Sequence, residues 1–353
     1  MAMATVLFEP IGEEIECAED ETVLDAAFRQ GYSLVYGCRE GQCSACKCYL
    51  LEGEVALKRY STFALSESEE SQGYTLLCRA MPDSDLVVEL LHFDPDDYRT
   101  DVVIREGRGT ILAIESLTHD ITRLHLKIEE PDDFDFKPGH YVDLQIPGTD
   151  EKRSFSLANL PGDGHLEFMI KRYPGGRFSG LLESGLAPGD ELSFTGPYGA
   201  FYLREAERPI LMVAGGSGMA PVLGVLRQLA QQGSERMVRF FYGARTRRDL
   251  FHLDVIHEFG DRLGNFEFVP VLSDPTDECA WEGETGFVHE AVGRYLDGGA
   301  MDADLDAYMC GPPPLIDAAS ELLIDGHQIA DSQIHYDKFT TAASAGNHAD
   351  VAD

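Results

Sequence analysis

Four cysteines constrain this chain more than any other feature. They fall at Cys38, Cys43, Cys46 and Cys78, spaced C-x4-C-x2-C with the last cysteine alone, 31 residues further on. Eight cysteines occur in all, five of them between 38 and 78 and none between 78 and 279. A chain in a reducing compartment keeps its thiols free, so such a cluster points to metal or redox chemistry rather than disulfides. This spacing is the one in which four thiolates hold a [2Fe–2S] cluster. The loop reads YGCREGQCSACKC, and Gly37 and Gly41 let the backbone fold tightly around the sulfurs. Backbone N–H groups in such a loop can point at sulfur and tune its potential. A structural zinc site is the alternative, but zinc's usual ligands are two C-x2-4-C pairs, whereas here three ligands share one loop. Cys48 opens a strand pattern, and Cys17 and Cys279 read as small buried hydrophobes.

Around the loop, TVLFEP and EEIECA alternate like paired strands with Gly12 at the turn, and TVLDAAFRQG has helical spacing from Thr22 to Gly31. With the cysteine loop and the strand after it, residues 1–95 resemble a plant-type ferredoxin, which implies an α+β, β-grasp domain. The polar stretch 94–103, with Pro95, reads as a linker.

At roughly 150 residues per domain, 353 residues suggest two or three domains in all. With 28 basic against 62 acidic side chains, the net charge is −34, which excludes nucleic acid and anionic membrane as partners. No run of 18 apolar residues occurs, and the first residues lack the basic stretch and apolar core of a secretory signal. The expectation is a cytoplasmic protein.

Residues 103–205 contain short β-type runs (GTILAIESL, ITRLHLKI, HYVDLQIP, LEFMIKRY, ELSFTGPYG) punctuated by Gly, Pro and Asp, the pattern of a small antiparallel barrel. Inside it lie Arg153-Ser154-Phe155-Ser156 and, some 20 residues later, Gly175-Gly176 leading to an expected helix start at Ser179. Arginine offers a bidentate donor to phosphate, and a glycine pair feeding a helix N-terminus suits a pyrophosphate. Together these segments resemble the flavin domain of the ferredoxin–NADP reductase superfamily. The resemblance implies that Arg153 holds the FAD pyrophosphate, Phe155 packs on the isoalloxazine and Ser156 bonds flavin N5. Ser179 then caps the phosphate-binding helix, with Ser154, Gly175 and Gly176 also at the cofactor. Phe155 stands where that family usually has tyrosine, so stacking is kept and a hydroxyl contact is lost.

Residues 207–340 alternate apolar strands (PILMVAGGSG, MVRFFYGA, FEFVPVLS, DAYMCGPPP) with helical segments, the pattern of an α/β doubly wound parallel sheet. Its two glycine motifs, Gly215-Gly216-Ser217-Gly218 and Cys310-Gly311, resemble the nicotinamide domain of the same superfamily. By that resemblance Gly215, Gly216 and Gly218 cradle the dinucleotide pyrophosphate, Gly311 and Cys310 lie beside the nicotinamide, and Phe339 covers the flavin face. Arg245, Arg247 and Arg248 leave the 2′-phosphate question open on chemistry alone. The GARTRRDLF segment resembles that of NADH-using oxygenase reductases. Residues 341–353 read as a disordered tail.

The domain order resembles the reductase components of soluble multicomponent monooxygenases with diiron hydroxylases (methane, propane, alkene and phenol types). LKRYSTFALSESEESQGYTLLCRAMPDSDLVVELL, PGTDEKRSFSLAN and IHYDKFTT are most like the propane and related alkane enzymes. That implies an NADH:acceptor oxidoreductase using FAD and a [2Fe–2S] cluster, with a diiron hydroxylase as partner. Two alternatives stand beside it: the reductase of a Rieske-type ring-hydroxylating dioxygenase, and a non-catalytic zinc-binding adaptor. Glu67, Glu69 and Glu70 are candidates for steering a partner's basic patch, or a solvated surface only.

Overall fold

The computed structural model describes residues 3–91, 93, 98–99, 102–275 and 280–339. Two compact units divide the chain, one running to Ile104 and the other from Arg105 to Phe339.

In the first unit, β1 (Met3–Glu9) and β2 (Glu13–Ala18) pair antiparallel across Gly12, whose φ of +70° suits glycine. Alternation buries Val6, Phe8, Ile15 and Cys17 on one face. α1 (Val23–Arg29) begins at Thr22, whose hydroxyl accepts from Asp25 N–H, and packs Leu24, Ala27 and Phe28 inward. The unit continues with β3 (Lys47–Glu52), β4 (Val55–Leu57), α2 (Glu67–Ser71), β5 (Tyr74–Leu76), β6 (Ala80–Pro82) and β7 (Leu86–Leu90). Five strands form one sheet in the order β2-β1-β7-β3-β5, with β1 parallel to β7, and β4 pairs with β6 apart from it. This is the expected α+β fold. Of the expected linker at 94–103, residues 94–97, 100 and 101 lie outside the described residues. Tyr98 and Arg99 are not a free tether: Ser33 N–H donates to the Tyr98 carbonyl, and the Arg99 guanidinium pairs with Glu13 and lies over the Tyr32 ring. A cation with both a carboxylate and an aromatic face to hold it stays on the fold.

The second unit opens with β8 (Arg105–Ser116), β9 (Ile121–Glu130), β10 (Tyr141–Gln145), β11 (Lys152–Ser156), β12 (His165–Lys171), α3 (Arg177–Ser184) and β13 (Glu191–Tyr198). The strands run antiparallel in the order β11-β10-β13-β8-β9-β12, and a bridge between Leu157 and Phe168 draws the two edges together into a barrel. Leu124, Leu126, Val142, Leu144, Phe168 and Phe194 fill its interior. The helix expected to start at Ser179 starts earlier, at Arg177, with Gly176 as N-cap. Glycine at the cap exposes the first N–H groups without a side chain, so the turn begins as soon as Gly175, at φ +73°, reverses the chain.

There follow β14 (Ile210–Gly215), α4 (Met219–Gln232), β15 (Val238–Ala244), α5 (Leu253–Arg262), β16 (Phe266–Leu272), β17 (Glu284–Thr285), α6 (Val288–Asp297), β18 (Asp306–Gly311), α7 (Pro313–Glu321) and β19 (Ile334–Lys338). All six strands are parallel, in the order β17-β16-β15-β14-β18-β19, with apolar layers on both faces. The order of the strands reverses between β14 and β18, the switch point outside whose carboxyl ends open α/β sheets bind their ligands. Asp306, fully buried at the start of β18, is held by Arg208 at 2.6 Å and Arg236 at 2.7 Å. Cys279 and residues 340–353 lie outside the described residues.

Candidate functional site

The cysteine loop wraps through three left-handed residues, Arg39, Gly41 and Ser44, with φ between +56° and +69°. This curvature turns amides onto sulfur: Gln42 N–H donates to Cys38 Sγ at 3.1 Å, and Cys38 N–H to Cys43 Sγ at 3.2 Å. Gly37 is a close-approach position, because a Cβ there would stand 2.9 Å from Cys43 Sγ. The sulfurs gather as two pairs. As thiols, Cys38 and Cys43 bond each other, which pushes Cys38 down to about 6 and Cys43 up; Cys46 and Cys78 do the same, raising Cys78. Among the described residues no three cysteine sulfurs lie within 4.8 Å of one another. Pairing two by two suits two bridged irons, each held by two thiolates. Cys48 is fully buried in β3 and Cys17 in β2, where burial pushes the Cys17 thiol up to about 12.

Residues the sequence reading passed over brace this loop. Arg79 donates to the Arg39 carbonyl, Ser61 N–H donates to the Gly41 carbonyl, and a Cβ on Gly41 would meet Tyr60 at 2.8 Å and Arg79 at 2.9 Å. Of the three acidic candidates nearby, Glu69 closes a capping box with Ser66 and pairs with Lys47 at 2.7 Å, while Glu70 accepts from the Tyr60 hydroxyl. The Lys47 bond, then those to Ser66, hold the Glu69 carboxyl down at about 2.

In the barrel, β11 and α3 bring the two flavin segments together. Phe155 packs against Phe178 with ring centroids 4.9 Å apart and stays partly exposed. Arg153 grips one oxygen of Glu151 at 3.0 Å, and Arg177 grips the other. Two guanidiniums converging on one carboxylate set two forked anion donors side by side. Ser154 donates to Asp143 at 2.6 Å, and Ser156 is buried at the barrel edge. Ser179 does not cap the helix from outside; it lies in the first turn, donating to the Gly176 carbonyl, and a Cβ on Gly176 would strike its oxygen at 2.4 Å. An arginine just inside a helix has no distinctive spacing, so sequence alone does not single out Arg177.

In the parallel sheet, Ala214 on β14 pairs with Cys310 on β18. A Cβ on Gly218 would stand 2.1 Å from the Cys310 carbonyl oxygen, and one on Gly311 would stand 3.3 Å from the Gly215 carbonyl. The two motifs therefore meet backbone to backbone at the head of α4, a helix N-terminus of the kind that suits a dinucleotide phosphate. Gly216, at φ +59°, accepts at its carbonyl from the Tyr242 hydroxyl. Cys310 is buried, and burial keeps its thiol protonated. Phe339 N–H donates to the Gly311 carbonyl at 2.8 Å, which ties the end of β19 to the same place. Arg245, Arg247 and Arg248 are exposed beyond β15, while Asp249 bonds Thr246 and neighbours His119.

Three family profiles match in the same order: a 2Fe-2S iron-sulfur cluster binding domain over residues 7–83, an oxidoreductase FAD-binding domain over 108–202 and an oxidoreductase NAD-binding domain over 212–321. Fold and sites thus define an oxidoreductase with a [2Fe–2S] cluster domain, a flavin barrel and a nicotinamide dinucleotide domain. The reductase component of propane 2-monooxygenase from Rhodococcus jostii is 48% identical over 95% of this chain and 91% of its own length. The reductase component of phenol 2-monooxygenase from a Pseudomonas species is 38% identical over 96% and 95%. Among solved structures, a cytochrome P450 reductase of Amycolatopsis superposes with TM-score 0.84 at 31% identity, over 96% of this chain and 99% of that one. The chain belongs to the family of reductase components of multicomponent oxygenase systems. Among the described residues no helix is long and apolar enough to cross a membrane.

Proposed function

We propose that this protein takes a hydride from NADH onto FAD and passes single electrons through its [2Fe–2S] cluster to the diiron hydroxylase of a propane-type monooxygenase, in the cytoplasm. The observation that carries this reading is the 46–48% identity to four propane 2-monooxygenase reductases over 95–96% of the chain. A toluate 1,2-dioxygenase electron transfer component is 36% identical over 97%, and supports the Rieske-type acceptor as the second reading. Three cofactor domains, 1–95, 103–205 and 207–340, accord with the residues that the family profiles match.

In this reading Cys38, Cys43, Cys46 and Cys78 would hold the cluster, and the amides of Gln42 and Glu40, which donate to the Cys38 sulfur, would stabilise charge on it. Bound FAD supplies the conversion of an electron pair into single electrons. Arg153 and Arg177 would exchange Glu151 for the flavin diphosphate. Phe155 would pack on the ring system and Ser156 would bond its N5 edge. Gly215, Gly216 and Gly218 would admit the dinucleotide phosphates, Cys310 and Gly311 would border the nicotinamide, and Phe339 would cover the flavin face. Arg245, Arg247 and Arg248 are exposed beyond β15, and the GARTRRDLF segment that holds them, which resembles that of NADH-using oxygenase reductases, supports NADH.

The test is anaerobic reduction of the holoenzyme by NADH or NADPH, followed by electron delivery to a purified diiron hydroxylase and to a Rieske oxygenase. Bleaching of flavin and then of the cluster by NADH, with turnover in the diiron partner alone, is expected. Preference for the Rieske partner would overturn the acceptor, and equal use of NADPH the nucleotide.

A further inference from the structure

The outer face of the barrel carries a group of side chains that the electron path does not use. β9 and β12 are antiparallel neighbours, with His125 directly opposite Glu167 and His165 two residues before Glu167. Strand side chains alternate, so His165 and Glu167 project from one face, and the cross-strand partner His125 projects beside them. A ring nitrogen of each histidine and a carboxylate oxygen of Glu167 lie within 4.8 Å of one another. The two imidazole rings are 5.2 Å apart.

Glu167 is 3% exposed, an unusual place for a carboxylate. Its Oε2 accepts from Arg227 Nη1 at 2.6 Å, but its buried Oε1 has no hydrogen bond. Neither has the buried Nε2 of His125, 3.7 Å from a Glu167 oxygen. Arg123 is committed to Glu115 and comes no nearer to Oε1 than 4.0 Å. The two buried atoms face each other as a long ion pair without a hydrogen bond, and a ligand shared between them would offset the desolvation cost that this leaves. His165 has its Nδ1 3.1 Å from the Asp163 carbonyl. With the proton there, its Nε2 keeps a lone pair, the arrangement that orients imidazoles toward metals.

We propose that His125, His165 and Glu167 form a binding site for a divalent borderline metal ion, zinc fitting best, with the fourth position left to water. Two imidazoles and one carboxylate are a zinc donor set with an open position. Tetrahedral coordination needs donors about 3.3 Å apart, so the two half-exposed histidines close by side-chain rotation. Arg227 already neutralises the Oε2 side of Glu167, so the ion draws on Oε1 and leaves intact the bond that ties β12 to α4. Its binding therefore stabilises the barrel against that helix.

The test uses holoenzyme with full flavin and iron content, dialysed against zinc chloride, with bound zinc measured by atomic absorption for the parent, His125→Gln and His165→Gln. The parent is expected to bind about one zinc per chain. Each substitution is expected to weaken that binding about tenfold or more with flavin and iron contents unchanged. Zinc should raise the melting temperature of the parent and of neither variant. Identical zinc isotherms in all three proteins, or no zinc on the parent, would overturn the site.

Discussion

Gly218 and Cys310 are so close that the two glycine motifs can meet only if residue 218 has no side chain. The atoms a Cβ would strike, at 2.1 and 2.6 Å, are backbone atoms of the neighbouring strand and cannot swing aside. Gly218→Ala is expected to cost about 1–3 kcal/mol in stability as an overpacked contact. It should also slow flavin reduction by NADH while leaving FAD bound. Gly233→Ala, at the end of α4, is the control: its Cβ would meet nothing within 4 Å, so it carries the left-handed penalty alone, about 1–2 kcal/mol. Stopped-flow reduction of both variants checks this; equal rates for the two would remove the close-approach argument.

Arg153 and Arg177 share Glu151. A hydrogen bond to a charged group contributes about 1.5–3 kcal/mol, so Arg177→Ala is expected to weaken FAD binding by roughly ten- to a hundredfold. Glu151→Gln frees both guanidiniums and should tighten it. Fluorescence titration of flavin-stripped protein measures both effects. Unchanged affinity in Arg177→Ala would leave its contact with Glu151 a surface ion pair.

Asp306 holds two guanidiniums at the root of the strand that carries Cys310. Removing a buried partner leaves uncompensated charge, so Asp306→Ala is expected to cost about 3–5 kcal/mol. Chemical denaturation followed by tryptophan fluorescence reads this, since the chain's one tryptophan, Trp281, lies in the same unit. A loss below 1 kcal/mol, the range of surface pairs, would contradict the burial.

His140 is 5% exposed, and its Nδ1 accepts from Lys137 N–H at 3.2 Å. Burial, then the charges of Lys137 and Arg204, push its pKa from an ordinary 6.5 down to about 3. The unfolded chain therefore binds a proton that the folded one refuses. Stability falls as pH drops below 6.5 and goes on falling toward 3, by up to about 1.4 kcal/mol per pH unit. Denaturant midpoints of the parent and His140→Gln between pH 7.5 and 5 should converge toward acid; parallel lines would remove His140 as the cause.

Much of this protein is legible locally. The spacing C-x4-C-x2-C sets how far apart sulfurs in one loop can be, and the alternation of Val6, Phe8, Ile15 and Cys17 sets which face of the first hairpin is buried. Continuous apolar strands ending in glycines specify a parallel sheet with bare backbone at its ligand end. Each of these is a property of neighbours in the chain, where geometry follows from bond lengths and periodicity. The helix start was misplaced by two residues because Gly176, a cap without a side-chain acceptor, lacks the usual serine signature.

The class of each domain, the cofactor motifs and the resemblance to an oxygenase reductase are written in short stretches of chain. Tertiary structure alone decided which of these residues meet. Arg79 and Tyr60 close over Gly41, Arg177 joins Arg153 on Glu151, and Gly218 touches Cys310. His125 stands opposite Glu167 only because β9 and β12 pair in one register. Register and packing are set by the summed burial of whole faces, and no short window of sequence carries that sum.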